Sequence, residues 1–256
     1  AGSMAIMMSY LGDQTGVYRA MDKLGPASVE EIAKESNVDE RYLLEWLSSN
    51  SGRGYVTYHD DEEKFSLSPE QAAVFARENE PTCIQGLVQG VVGQFVKEDI
   101  AVDVFQTGRG RPWGEHHECC FCGTERFFRP AYAGHLLDEW IPAMEGVEDK
   151  LKKGAKVADI GCGLGTSSML MAEQYPNSTI HAFDFHGPSI DEAKKRGAEK
   201  GLDNLEFFVS DAAAIPNESY DLACIFDAWH DMGDPVGVAK SIKDTLADDG
   251  TFMVVE

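Results

Sequence analysis

The chain has 256 residues, 43% of them apolar, and carries 44 acids against 22 Lys and Arg for a formal net charge of −22. That length and composition suit an ordinary soluble protein of one large or two smaller domains, each able to bury its own core. So acidic a balance disfavours nucleic acid, anionic membranes and other polyanions as partners, and no run approaches the ~20 apolar residues of a membrane span.

Ala1-Gly2-Ser3-Met4 reads as an expression scar ahead of Met4, with no basic and apolar leader behind it. Residues 4–24 then read as a helix with an apolar face of Ile6, Met7, Tyr10, Leu11, Val17, Tyr18 and Met21, broken near Gly12 and Gly16 and stopped by Gly25-Pro26. Ser28-Val29-Glu30-Glu31 is a capping box for a short helix to Glu35, and Asp39 caps a second over Glu40 to Ser49. Tyr55 to Tyr58 and Lys64 to Leu67 flank the acidic turn Asp60 to Glu63 as a hairpin. Helix, turn, helix and hairpin make a winged-helix layout, expected over residues 1–80. Up to Glu80 there are fifteen acids against seven bases, and the helix that would enter a DNA groove carries Arg41 alone against Asp39, Glu40 and Glu45. DNA binding wants the opposite sign, so a structural or dimerisation module is the expectation here.

Residues 81–150 read as a helical connector and pocket lid, with Ile84 to Phe105 helical in pieces and Glu125 to Met144 an amphipathic helix kinked at Pro130. Between them stands His116-His117-Glu118-Cys119-Cys120-Phe121-Cys122. One C-x-x-C with a histidine nearby has the ligand types for a thiophilic metal, but a closed zinc site would need His117 or a remote ligand. No metal is therefore assigned, and the default is a flexible loop of reduced thiols. Cys162 and Cys224 fall in strands, where a thiol behaves as a small hydrophobe, and six reduced cysteines point to the cytosol.

The third segment, residues 151–256, turns on Val157-Ala158-Asp159-Ile160-Gly161-Cys162-Gly163-Leu164-Gly165-Thr166, a β-branched run ending in an acid, three alternate glycines and a helix start. Such a turn lets the backbone approach a small polar ligand and offers helix N–H groups to an anionic part of it. Strands follow at Thr179 to Asp184, Leu205 to Val209, Tyr220 to Phe226 and Thr251 to Val255, with helices at Pro188 to Gly201 and near Val236 to Leu246. Alternating strand and helix predicts a doubly wound, Rossmann-like α/β sheet with the ligand at the carboxyl ends of its strands, where Asp159, Asp184, Asp211 and Asp227 collect.

A dinucleotide fingerprint wants G-x-G-x-x-G, whereas D-x-G-x-G-x-G resembles motif I of class I S-adenosylmethionine-dependent methyltransferases. With the winged-helix layout ahead of it, the chain resembles the small-molecule O-methyltransferase type, in which the N-terminal module packs a homodimer and helps wall the pocket. The resemblance implies that Asp159 and the backbone of Gly161, Cys162, Gly163 and Gly165 hold the methionine end of S-adenosylmethionine. It places the ribose on Asp184 and the adenine on Asp211 and Ala212, with Phe185 and Asp227 beside the cofactor. It further implies two more strands after the fifth, beyond Glu256. Trp229-His230-Asp231 resembles the His-Asp step of that type, which makes His230 the expected general base for a small-molecule acceptor; imidazole titrates near neutrality and suits the task. Tyr132, His135 and Trp229 are the expected substrate contacts. The family's aromatic follows the histidine by two positions, where this chain has Met232. Alternatives stay open: a thiol or metalloid methyltransferase using Cys119, Cys120 and Cys122, a cofactor-sensing winged-helix regulator, or a protein whose bound cofactor is structural.

Overall fold

The computed structural model describes residues 2–256, which cluster into two units dividing between Pro130 and Ala131, so the stretch expected as a connector is shared between them. In the first unit the expected N-terminal helix is two, α1 (Gly2–Gln14) and α2 (Val17–Leu24), because Gly16 takes φ = 75° at the junction. Gly12 is no break: it sits inside α1, and a Cβ there would lie 2.4 Å from the Trp46 ring. Ser28 and Glu31 form the expected capping box on α3 (Val29–Ser36), and the Asp39 carboxylate accepts the Tyr42 N–H at the start of α4 (Glu40–Ser51). Strands β1 (Thr57–His59) and β2 (Lys64–Ser66) pair antiparallel as the wing. A helix that the sequence reading passed over, α5 (Pro69–Phe75), follows under a Ser68–Gln71 capping box. Tyr18, Met21, Ile32, Leu47, Trp46 and Phe75 are buried together as this module's core.

Next come α6 (Gln85–Val96), α7 (Glu98–Thr107) and α8 (Glu118–Ala131). Helix α8 takes in Cys119, Cys120 and Cys122, which corrects the loop expected there, and it begins seven residues earlier than the predicted Glu125. Helices α6 and α8 cross with their backbones in contact: a Cβ on Gly123 would fall 2.4 Å from the Gly90 nitrogen and 2.6 Å from the Gly86 oxygen. Arg126, also on α8, binds Asp13 through two nitrogens (2.9 and 3.0 Å), Glu78 (2.7 and 3.2 Å) and Gln89 (2.6 Å). Asp13 is almost fully buried, and Arg126 supplies its counter-charge together with Arg19, whose Nη1 lies 3.2 Å from Oδ1. Only backbone lies in the way at Gly123, so Gly123→Ala must push the helices apart, and we expect it to destabilise the protein by about 1–3 kcal/mol. Gly90→Ala, which meets nothing within 4 Å, serves as the control and should stabilise by up to ~1 kcal/mol through helix propensity. Denaturant unfolding of the pair checks this; equal midpoints would contradict it.

A π-helix, Tyr132–Trp140, opens the second unit, where an amphipathic helix kinked at Pro130 and running to Met144 was expected. After α9 (Val147–Lys153) come β3 (Lys156–Ile160), α10 (Thr166–Gln174), β4 (Thr179–Asp184), α11 (Gly187–Lys200), β5 (Leu205–Val209), β6 (Tyr220–Phe226), α12 (Pro235–Thr245) and β7 (Leu246–Val255). All five strands are parallel, in the order β5-β4-β3-β6-β7, the doubly wound arrangement expected. The alternation lapses once, since β5 reaches β6 through a 3₁₀ turn (Ala212–Ala214) and a polar loop, with Ile215 plugging the core in place of a helix. Ala158, Ile160, Phe183, Ala223 and Ile225 pack into one core cluster and Ala182 into another with Met169, Ile190, Ala193 and Phe207, so both faces of the sheet are covered, as parallel strands require. Among the described residues no helix is long and apolar enough to cross a membrane.

Candidate active site

Crossover chemistry puts every expected acid of this unit at one sheet edge. The three glycines of the β3–α10 turn all have positive φ (75°, 54° and 80°), and the Gly161 and Cys162 N–H groups both donate to the Phe183 carbonyl. Substitution is blocked at two of them, since a Cβ at Gly161 would lie 2.8 Å from that of Ala228 and one at Gly165 2.6 Å from the Phe207 ring. At Gly163 a Cβ would meet nothing within 4 Å, so this is the open face of the turn. Cys162 is buried, and burial raises its thiol well above the usual range, which leaves it inert.

Asp159 is fully buried. Its Oδ2 accepts the Ser167 and Ser168 hydroxyls at 2.7 and 2.5 Å, while Oδ1 has no partner. Burial pushes this carboxyl up to about 6 against the pull of Ser168 and Ser167. Asp184, at the end of β4, accepts the Gly163 N–H at 2.9 Å on Oδ2 and the His186 N–H at 2.8 Å on Oδ1. Its carboxylate is thus fixed by backbone on both oxygens and retains lone pairs for a ligand. Phe185 is exposed next to it. Asp211 caps the 3₁₀ turn after β5 by accepting the Ala213 N–H at 2.8 Å, with Ala212 half-buried beside it.

The end of β6 is shaped by Asp227, whose φ of 48° is unusual outside glycine, and whose Oδ2 accepts the Tyr132 hydroxyl at 2.8 Å. Burial raises the Asp227 carboxyl, and burial together with Asp227 pushes the Tyr132 hydroxyl far above the phenol range, so the tyrosine is a fixed donor and no base. The ring of Tyr132 lies against Trp140 and Phe226, and that of His135 stacks on Trp140 while pairing with Glu139 at 3.2 Å. The indole of Trp229 stacks on Phe252 at 5.1 Å beside the sheet core.

His230 is exposed on the 3₁₀ turn after β6, and its Nδ1 donates to Oε2 of Glu256 in a short hydrogen bond, while Oε1 of Glu256 accepts the Trp229 N–H at 2.7 Å. Asp231 stands 3.8 Å from Nε2. Glu256 raises the His230 imidazole above its ordinary value. Glu256 is the residue the sequence reading missed, although its signal was present: it follows β7, and Phe226 pairs with Val255, so residues 227 and 256 emerge side by side. Ser167 and Ser168 in the first turn of α10 and His186 at the N-cap of α11 had no distinguishing signal, being ordinary residues at helix starts. Among the described residues no group of three or more His, Cys, Asp or Glu is arranged to hold a metal ion.

Comparison with known proteins bears on this edge. Residues 151–256 match the family model of a methyltransferase domain, and residues 2–77 that of the Rv2258c-like winged HTH domain. A ubiquinone biosynthesis O-methyltransferase of Actinobacillus pleuropneumoniae is 32% identical over 105 residues, covering 39% of this chain and 44% of that protein. The matched stretch thus spans less than half the length of that relative. In fold, the chain is similar over 99% of its length to the mitomycin 7-O-methyltransferase MmcR (TM-score 0.71, 16% identity, 76% of that chain). It is equally covered by human N-acetylserotonin methyltransferase in complex with SAM (TM-score 0.68, 16% identity, 76% of that chain). The residues present fit S-adenosylmethionine: a buried, unpartnered Asp159 oxygen suits a cationic group, the open Gly163 face leaves room, and Asp184 presents a backbone-fixed acceptor.

Proposed function

We propose, from this chain's membership of the class I S-adenosylmethionine-dependent methyltransferases with a winged-helix N-terminal domain, that it methylates a hydroxyl of a small molecule with His230 as general base. The observation that carries this reading is the His230–Glu256 pair at the sheet edge that holds Asp159 and Asp184. Bound S-adenosylmethionine supplies a methyl group on a sulfonium that is already a good leaving group. The protein's own work is to hold the acceptor, exclude water and take a proton. With Nδ1–H donated to Glu256, the lone pair of Nε2 is the site that accepts the acceptor's proton, and the adjacent carboxylates of Glu256 and Asp231 stabilise the imidazolium that results.

Asp159 and the glycine turn bind the methionine end in this reading, Asp184 the ribose, and Asp211 with Ala212 the adenine, with Phe185 and Asp227 alongside. Tyr132, pinned by Asp227, and His135 offer a wall of aromatic surface for the acceptor and the sulfonium. The buried, reduced thiols of Cys162 and Cys224 are consistent with work in the cytosol. Titration calorimetry with S-adenosylmethionine, then assay of S-adenosylhomocysteine release over phenols, small acids and thiols, tests the proposal. Absence of cofactor binding would sink it, and turnover confined to thiols would move the acceptor class.

The partner in this reading is a second copy of the chain. Beyond the N-terminal module expected to pack the homodimer, α7 of the following segment extends that interface in this reading. It buries no residue and carries Phe105, 94% exposed, and Val102, 52% exposed, three positions apart on one face. The base of α4, Arg41, is engaged by Glu45, which leaves that helix without an unpaired cation for a phosphate. We expect Phe105→Asp to weaken self-association by about tenfold or more, as loss of a central aromatic does. Sedimentation velocity across a dilution series checks it, and an unchanged dissociation constant would remove α7 from the interface.

A further inference from the structure

We propose that Cys119 and Cys122 form a reversible dithiol–disulfide site, oxidised by small disulfides of the glutathione class. This site is independent of the methyl-transfer reading, and the argument begins with the helix. Both residues lie at the start of α8, three positions apart and on one face, where helix geometry sets their Cα atoms about 5 Å apart, within the range a disulfide spans. Their Cβ atoms stand about 5–6 Å apart, so that closing the bond tightens the first turn by about 1–2 Å. The third thiol is excluded by the same geometry. Cys120 and Cys122 are two positions apart and point away from each other, and Cys119 and Cys120 are adjacent. Cys120 is also buried, held towards α6 by Gln94, whose amide donates to its sulfur at 3.6 Å. Cys119 and Cys122 are only half-buried.

The site is coupled to its surroundings. Tyr10 of α1 rests its hydroxyl 3.8 Å from the Cys119 sulfur. The Cys119 N–H donates to Nδ1 of His117 at 3.2 Å, which fixes the start of the helix. At this turn α8 meets α6 without slack, since a Cβ on Gly93 would lie 2.9 Å from the Cys120 nitrogen and 3.3 Å from the Cys119 Cβ. Closing the ring removes the Cys119 S–H, so that the Tyr10 hydroxyl can then only donate to that sulfur.

The reaction balances as two exchanges. One protein thiolate attacks a sulfur of the external disulfide, forming a mixed disulfide and expelling one external thiolate. The second protein thiolate attacks the sulfur of the first, breaking that mixed bond and expelling the other external thiolate. Two protein thiols are oxidised by two electrons, one external disulfide is reduced to two thiols, and the protons lost by the protein thiols pass to the leaving thiolates.

The test is exposure of the reduced, full-length protein to oxidised glutathione, then acid quench, alkylation and peptide mapping by mass spectrometry. The expected product is a Cys119–Cys122 cross-link, reversed by dithiothreitol, with no glutathione retained. Cys119→Ser and Cys122→Ser should each trap one glutathione on the remaining partner, whereas Cys120→Ser should close like the parent. Glutathione retained on either thiol of the unsubstituted protein, a cross-link to Cys120, or no reaction short of unfolding would each overturn the proposal. Mapping the unsubstituted chain decides the matter even if a serine variant does not fold.

Discussion

Asp184→Ala is expected to weaken S-adenosylmethionine binding by about 100-fold or more. The carboxylate is held on both sides by the Gly163 and His186 N–H groups, at 2.9 and 2.8 Å, so it meets a ligand already oriented. In the proposed complex it accepts two vicinal ribose hydroxyls. Hydrogen bonds to a charged group contribute about 1.5–3 kcal/mol each, so two exceed the ~2.8 kcal/mol that a 100-fold change represents. Asp184→Asn keeps the volume but turns an amide NH₂ towards one of the two backbone donors, and should fall between. Titration calorimetry of the three proteins reads the effect, with thermal unfolding as the control. An alanine variant that binds within threefold of the parent would show that Asp184 is only a backbone anchor.

His230→Gln is expected to lower kcat by about 10²- to 10⁴-fold, the range a general base contributes, with a much smaller effect on cofactor affinity because its hydrogen bond goes to Glu256. Glu256 makes the companion variant. It is the first cause of the raised His230 value, so the imidazole must lose its proton at a pH above the ordinary 6.5 before it can act as a base. The rising limb of the pH–rate profile should therefore lie above 6.5 in the parent and move down in Glu256→Gln, with a lower plateau from lost orientation. For stability the sign is the reverse of a depressed carboxylate. The contribution of the pair is fully present below the unfolded histidine value and is lost as pH rises through the folded one. Exposure of the ring keeps that contribution small. A pH profile unmoved by Glu256→Gln would separate the two residues.

The chain's local rules were enough for most of the elements. Short apolar runs ending in acids, glycines after β3, a capping box at Ser28 and an N-cap at Asp39 each act within a few residues, and the strands and the wing lie close to where those signals put them, with β7 starting at Leu246 in place of the expected Thr251. The acids at the strand ends were legible for the same reason: in a parallel sheet with short crossovers, whatever follows a strand lands on one edge.

What the tertiary structure decided concerns partners distant in sequence or choices between equivalent backbones. Glu256 finds His230 26 positions away because β7 pairs in register with β6. Tyr132 finds Asp227 across 95 positions, from a π-helical turn that no period announces. Arg126 and Asp13, 113 apart, meet because burying the one demands the other. Gly86, Gly93 and Gly123 disfavour a helix by propensity, yet they are what lets α6 and α8 touch, since close approach of two backbones rewards an absent side chain more than propensity penalises it. The cysteines of α8 followed the same logic, drawn out of an expected loop into a helix by packing that their own residues could not signal.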